Sequence, residues 1–191
     1  MPAMDAVQFL LEEHQKVKQR FAAIEQAAPQ QRLELWRALE PELKIHEEIE
    51  DTYLYGPLSK DPAAQGTKLA GFEDHQDRDV AALQVKIEQL HQTDPMDDKW
   101  LERLRGIRDA LMDHVKEEET EILPKVGDVW SREKVQMAGQ QMAAAKQEAM
   151  ANPTHYANVM GQMSTQETQG GLTGAIGRAM DKAKDALGGG S

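Results

Sequence analysis

The chain has 191 residues, with 22 Lys and Arg against 33 Asp and Glu and no cysteine. The missing thiols exclude disulfides, thiolate zinc sites and cysteine-ligated iron–sulfur clusters. Residues 1–130 hold 16 basic and 28 acidic side chains, which argues against nucleic acid as a partner, because phosphate binding needs a basic face, and favours cations.

No apolar run is long enough to span a bilayer, so stable membrane insertion is not expected. The start "MPAMDAVQFL" has neither the basic stretch nor the apolar core of a signal peptide, and a cytoplasmic location is the expectation. Four segments read as helices, with no strand-type alternation against them. The first covers roughly residues 5–28. Asp5 with Gln8 makes a capping start, and Val7, Leu10, His14, Val17, Phe21 and Ile24 step by three and four along one stripe. Pro29 ends it.

The second covers roughly residues 31–58, with Leu39, Leu43, His46, Glu50 and Tyr53 on one stripe. Pro41 falls inside and is expected to kink or split it near residue 40. "GPLSKDPAAQG" (56–66) is rich in breakers and reads as a loop. The third covers roughly residues 67–92, with Leu69, Phe72, His75, Asp79, Leu83, Ile87 and Leu90 in line. The fourth, roughly residues 96–126, carries Leu101, Leu104, Ile107, Leu111, His114, Glu118 and Ile122. The expected fold is all-α: an antiparallel four-helix bundle in residues 1–130. Residues 131–191 are expected to add a helix over roughly 132–150 capped by Ser131, then a linker and a short amphipathic tail. That tail, with Leu172, Ile176, Met180, Ala183 and Leu187 on one side, suits docking to an unknown partner.

Each of the four helices places a histidine on the face that should be core: His14, His46, His75 and His114. Glu50, Asp79 and Glu118 follow at i+4 on the same stripes. A buried carboxylate is costly unless it is paired or binds a metal. One buried histidine is ordinarily a hydrogen-bonding residue; four on four stripes, three of them with carboxylates, point to a metal site. Four residues are nearly one full turn, so imidazole and carboxylate stack on one face, a donor set suited to iron, manganese or zinc. The phrase His-x-x-x-Glu occurs twice, in "IHEEIEDTYLYGPL" (45–58) and "DHVKEEETEILPKV" (113–126). Two copies supply two nitrogens and two carboxylates able to bridge, which fits two metals. The Glu-x-x-His order of ferritin-like di-iron bundles is absent, since Leu43, Phe72 and Leu111 stand three residues before the histidines.

The ordered motifs "EEHQ" (12–15), "HEEIE" (46–50), "EDHQDRD" (73–79) and "HVKEEE" (114–119), one per helix, resemble the hemerythrin-like HHE cation-binding family over about residues 5–126. The resemblance implies a four-helix bundle around a non-haem, oxo-bridged centre of two iron ions. It implies His14, His46, His75 and His114 as terminal ligands and Glu50 and Glu118 as bridging carboxylates. This sequence differs from the oxygen-carrying hemerythrins in two places. Asp79 stands where those have a second histidine on the third helix. The fourth-helix carboxylate is one residue closer if it is Glu118, whereas Glu119 keeps the longer spacing but points off the stripe. Tyr53 is one candidate for the vacated position, with a core tyrosine bonded to a carboxylate as the alternative. Asp79 is another, as ligand or as a support for a histidine. Glu47 is expected on the flank. His91 and His155 lie outside the constellation.

A histidine-poor, anionic site favours the diferric state. That suits redox chemistry on a small oxidant (hydrogen peroxide, dioxygen or nitric oxide), with catalase-like peroxide turnover as the leading expectation. The alternative is an iron or oxygen sensor, or an oxygen-binding module without turnover. An iron donor for iron–sulfur repair fits less well, for lack of cysteine.

Overall fold

The computed structural model describes residues 4–152, with the side chains of residues 73–75 and 77 outside the description. His155 and the amphipathic tail segment therefore lie outside the described residues. Helix α1 (Ala6–Gln26) starts at Asp5, whose side chain accepts a hydrogen bond from the Gln8 N–H at 2.9 Å. Pro29 opens α2 (Pro29–Glu50) at its first turn, where a missing N–H costs nothing. The two-residue connection folds α2 back along α1. Helices α4 (Lys68–His91), capped by Thr67, and α5 (Asp98–Glu117), capped by Asp97, form the second pair. These four make the bundle.

Two of the four do not end where they leave the α-helical pattern. Helix α2 runs into a π-helical turn, Asp51–Tyr55, and then the short α3, Gly56–Ser59. Helix α5 runs into a π-helical turn, Glu118–Ile122, a 3-10 turn, Leu123–Lys125, and the short α6, Val126–Val129. Each wide turn stands two residues ahead of a proline, Pro57 or Pro124. Proline has no N–H to offer the residue one α-turn back, and its ring crowds that carbonyl. A turn widened by one residue relieves the crowding without ending the helix. Gly56 fits the first of these: its N–H bonds to the Asp51 carbonyl, and a Cβ there would lie 2.7 Å from that same oxygen.

Two sequence expectations need correction. Residues 56–66 are not all loop, because Gly56–Ser59 is helical and Pro62–Ala64 forms a 3-10 turn. Pro41 does not split α2, which is continuous through it. Its ring faces solvent, and Trp36, Leu39 and Leu43, buried on either side, hold the two halves in line.

Helix α7 (Arg132–Ala151) begins at Ser131, whose hydroxyl accepts from the Lys134 N–H at 3.3 Å. It lies against α1 and α2 and buries Val135, Ala138, Met142, Ala145 and Ala149 in the same core. Gly139 lets it close on the start of α1, since a Cβ there would collide with the Met4, Asp5 and Ala6 backbone. Lys146 reaches the buried Glu13 of α1 as an ion pair. Among the described residues no helix is long and apolar enough to cross a membrane.

The core consists of two apolar clusters. One holds Phe9, Leu10, Ile49, Leu54, Tyr55, Phe72 and Ile122 with the α7 residues. The other holds Val17, Phe21, Ile24, Trp36, Leu39, Trp100, Leu104 and Leu111. His14 stands between the two along α1, and Glu118 stands between Val115 and Ile122 along α5. A polar layer thus crosses the middle of the bundle.

Candidate metal centre

Helix α1 contributes His14, α2 contributes His46, Glu47 and Glu50, α5 contributes His114, and the π-helical turn that follows α5 contributes Glu118. His14, Glu50 and Glu118 are at most 1 % exposed, and His46 and His114 are 7 % and 8 % exposed. His46 Nε2 lies 3.1 Å from Glu50 Oε1, and His114 Nε2 lies 3.6 Å from Glu118 Oε1, so both i+4 stacks form. His14 joins them, with its Nε2 at 3.3 Å from Glu118 and 3.6 Å from Glu50. The ligand-type atoms of His14, His46 and Glu50 all fall within 4.8 Å of one another, as do those of Glu47, Glu50 and His114. These are two candidate metal-binding triads that share Glu50. Glu118 touches one histidine of each. A carboxylate common to two sites is what a bridging ligand requires.

The electrostatics identify the layer as unfinished business for the protein alone. His14 Nε2, both oxygens of Glu50, His114 Nε2 and Glu118 Oε2 are buried without a hydrogen-bond partner. They face one another at 3.1–3.6 Å as charge contacts without hydrogen-bond geometry, so the layer is held by charge rather than by matched donors and acceptors. Nitrogen and oxygen donors converging in this way fit a first-row metal ion. Burial by itself lowers the His14 and His114 pKa values, but the surrounding carboxylates, Glu118 and Glu50 at His14 and Glu118 and Asp79 at His114, overcome it and hold both up at about 10. At His46 burial prevails and the pKa falls. Burial favours the acid form of Glu118, yet the imidazoles of His114 and His14 keep its carboxyl well below the usual range. Burial raises Glu47 to about 8.

Three residues that the stripes did not bring forward belong here. Tyr55 is fully buried, and its hydroxyl donates to Glu118 Oε1 at 2.5 Å. The π-helical turn explains why it is Tyr55: in such a turn the residue five positions on, not three or four, stands one turn further along, so the position beyond Glu50 is Tyr55. Tyr53 is half-buried and packs beside the apolar cluster, with burial and the Glu148 charge raising its pKa. Glu119 Oε1 lies 3.1 Å from His14 Nδ1 and accepts from Lys18 at 3.0 Å, which fixes the imidazole from behind. Glu47, expected on the flank, sits in the second triad and accepts from Gln76 at 2.7 Å.

Asp79 is placed at 3.4 Å from His114 Nδ1 and is partly open to solvent. His75 lies on α4, its side chain outside the described residues. His91 sits away from the layer, 2.8 Å from Glu40. A cleft of about 310 Å³ between α4 and α5 reaches His114 and Glu47 from the surface, with Val80, Leu83 and Leu111 in its walls.

Imidazoles and carboxylates gathered between two apolar clusters of a helical bundle define a cation-binding bundle protein. A family model of the hemerythrin HHE cation binding domain matches residues 5–126, and the chain belongs to that family. Among solved structures it is similar to a hemerythrin HHE cation binding domain-containing protein from Mycobacterium kansasii. The two are 24 % identical, with a TM-score of 0.64, over 90 % of this chain and 99 % of that one. At that identity the likeness speaks for the fold. A comparison with curated proteins gave no match.

Proposed function

We propose that the chain is a non-haem di-iron protein that disproportionates hydrogen peroxide. In this reading His14, His46, His75 and His114 would hold the two irons as terminal ligands, with Glu50 and Glu118 as the carboxylates that would be shared between them. The observation that carries it is the set of unpartnered buried atoms on Glu50, Glu118, His14 and His114, arranged as two triads with Glu50 in common. When bound, an iron pair supplies two-electron exchange within one site. Peroxide turnover needs no outside reductant. One H2O2 gives up two electrons and two protons and leaves as O2, while a second takes them up, breaks its O–O bond and leaves as two waters.

The chain's own groups serve that reaction in three ways. The carboxylates favour the higher-charged metal state. Tyr55 keeps a proton at its hydroxyl against Glu118, within one hydrogen bond of the centre. The apolar clusters shut bulk water out on two sides, and the α4/α5 cleft of about 310 Å³ offers room for a molecule the size of peroxide.

The test is an oxygen electrode. Protein loaded anaerobically with ferrous iron should hold two irons per chain and release one O2 for every two peroxides consumed, and His46→Ala should abolish this. Two irons without oxygen release would refute turnover. The sensor reading would then stand, supported by the packing of α7 against the first π-helical turn.

A further inference from the structure

The buried atoms without hydrogen-bond partners are not confined to the polar layer. Trp36 is 1 % exposed, and its Nε1 is buried with no hydrogen-bond partner among the described residues. Buried N–H groups are paired in the great majority of cases, so one without a partner asks for a reason. Trp36 stands ten residues before His46 on α2, about 15 Å along the helix axis. It is therefore no part of the metal centre.

The Trp36 ring forms part of the wall of a second cavity, of about 520 Å³. This cavity lies at the end of the bundle where α2 begins, α4 ends and α5 begins. Its wall is mostly apolar, made by Leu33, Trp36, Leu90, Pro95 and Trp100. Leu90 and both tryptophans belong to the second apolar cluster, and Trp36 also packs on Phe21 at 6.4 Å between ring centroids. The wall is thus set by core packing before anything enters. An apolar cavity of this size with a few polar groups is the usual form of a small-molecule site.

The polar groups of the lining decide what would enter. Glu40 is already satisfied, by Lys44 at 2.7 Å and His91 at 2.8 Å. Arg37 is exposed and makes no ion pair among the described residues. An indole N–H and a guanidinium are donors without lone pairs to give. They do not suit a metal ion, and they call for an acceptor that carries negative charge. We propose that this cavity binds a small aromatic carboxylate, its ring against Trp36 and Trp100 and its two oxygens shared between Trp36 Nε1 and the Arg37 guanidinium. Ring-on-ring contact favours an aromatic body, and guanidinium favours carboxylate through paired, charge-assisted hydrogen bonds. The site is independent of the di-iron reading and does not fall with it.

The probe is 2-naphthoate, titrated into the full chain labelled with nitrogen-15 at tryptophan. The three tryptophans give three indole N–H resonances, and Trp36→Phe identifies the one that matters. Trp130 already donates to Asp61 at 3.0 Å and serves as the internal control. Naphthoate should saturate at one per chain, move the Trp36 resonance downfield and leave that of Trp130 in place. Arg37→Gln, at an exposed position, should weaken binding about tenfold. The uncharged 2-naphthamide should bind the wild type about as weakly as the acid binds Arg37→Gln. Saturation that leaves the Trp36 resonance unmoved would overturn the proposal. Equal affinity for acid and amide would do the same, as would an absence of binding at millimolar probe.

Discussion

Replacing Tyr55 with phenylalanine removes one oxygen atom from the centre of the bundle and little else. The ring packs edge-on against Phe72 at 4.9 Å between centroids and keeps that contact, so no cavity opens. What disappears is the 2.5 Å hydrogen bond to Glu118 Oε1. Glu118 is fully buried, and its other oxygen already lacks a hydrogen-bond partner. The carboxylate would then stand on the His14 and His114 imidazoles alone. A hydrogen bond to a charged group is worth about 1.5–3 kcal/mol, and a buried charged acceptor left unmatched sits at the upper end. A loss of about 2 kcal/mol lowers the melting temperature of a domain this size by about 4–8 °C. Tyr53→Phe, at a half-buried position, should stay within about 0.5 kcal/mol. The assay is urea and thermal unfolding of both variants after chelator treatment. Equal melting curves, or a larger loss in Tyr53→Phe, would refute the register that the π-helical turn imposes.

Three further outcomes are expected. The metal-free chain should lose stability as pH rises. His14 and His114 have folded pKa values of about 10 against 6.5 unfolded, so their contribution is complete below 6.5 and gone above 10; Glu47, raised to about 8, acts in the same direction above pH 4.5. Metal-loaded protein should show the opposite slope on the acid side, because bound ligands must be deprotonated, and urea midpoints at pH 6, 8 and 9.5 with the same sign for both forms would count against it. Gly139→Ala should cost about 1–3 kcal/mol by driving a methyl into the Met4–Ala6 backbone, with limited proteolysis showing α7 released from α1. Gly56→Ala should cost a similar amount by pushing on the Asp51 carbonyl, visible as a lowered urea midpoint.

The bundle was open to reading because four stripes kept the three-and-four spacing of buried helix faces, and His14, His46 and His114 break the apolar pattern where the structure places its polar layer. Caps at Asp5, Thr67 and Ser131 act where their residue types suggest. The positions of Tyr55, Glu47 and Glu119 were not accessible in the same way. A helical wheel assumes 3.6 residues per turn throughout, and it misplaces everything beyond a π-helical turn. The signal was present in the repeated phrase, which carries a proline ten or eleven residues after each histidine. A proline at that distance inside a helix demands either a break or a widened turn, and the apolar residues that follow, Leu58 and Val126, are buried, which favours the widened turn. Pro41 misled for the converse reason. On the solvent side, with buried residues before and after, the loss of one hydrogen bond does not interrupt a helix.

The polar layer also bears on how the molecule comes apart. It divides the core into two apolar bodies, each with its own aromatic residues and its own share of α1, α2 and α4. Among the described residues, helix continuity and polar contacts join the two bodies across this layer, a weaker link than apolar packing. An ion held by residues of both α1 and α5 ties the strands of the bundle together at the seam between them. A bound metal would then bear on cooperativity as well as chemistry, and the loaded protein should unfold in a sharper transition than the metal-free one.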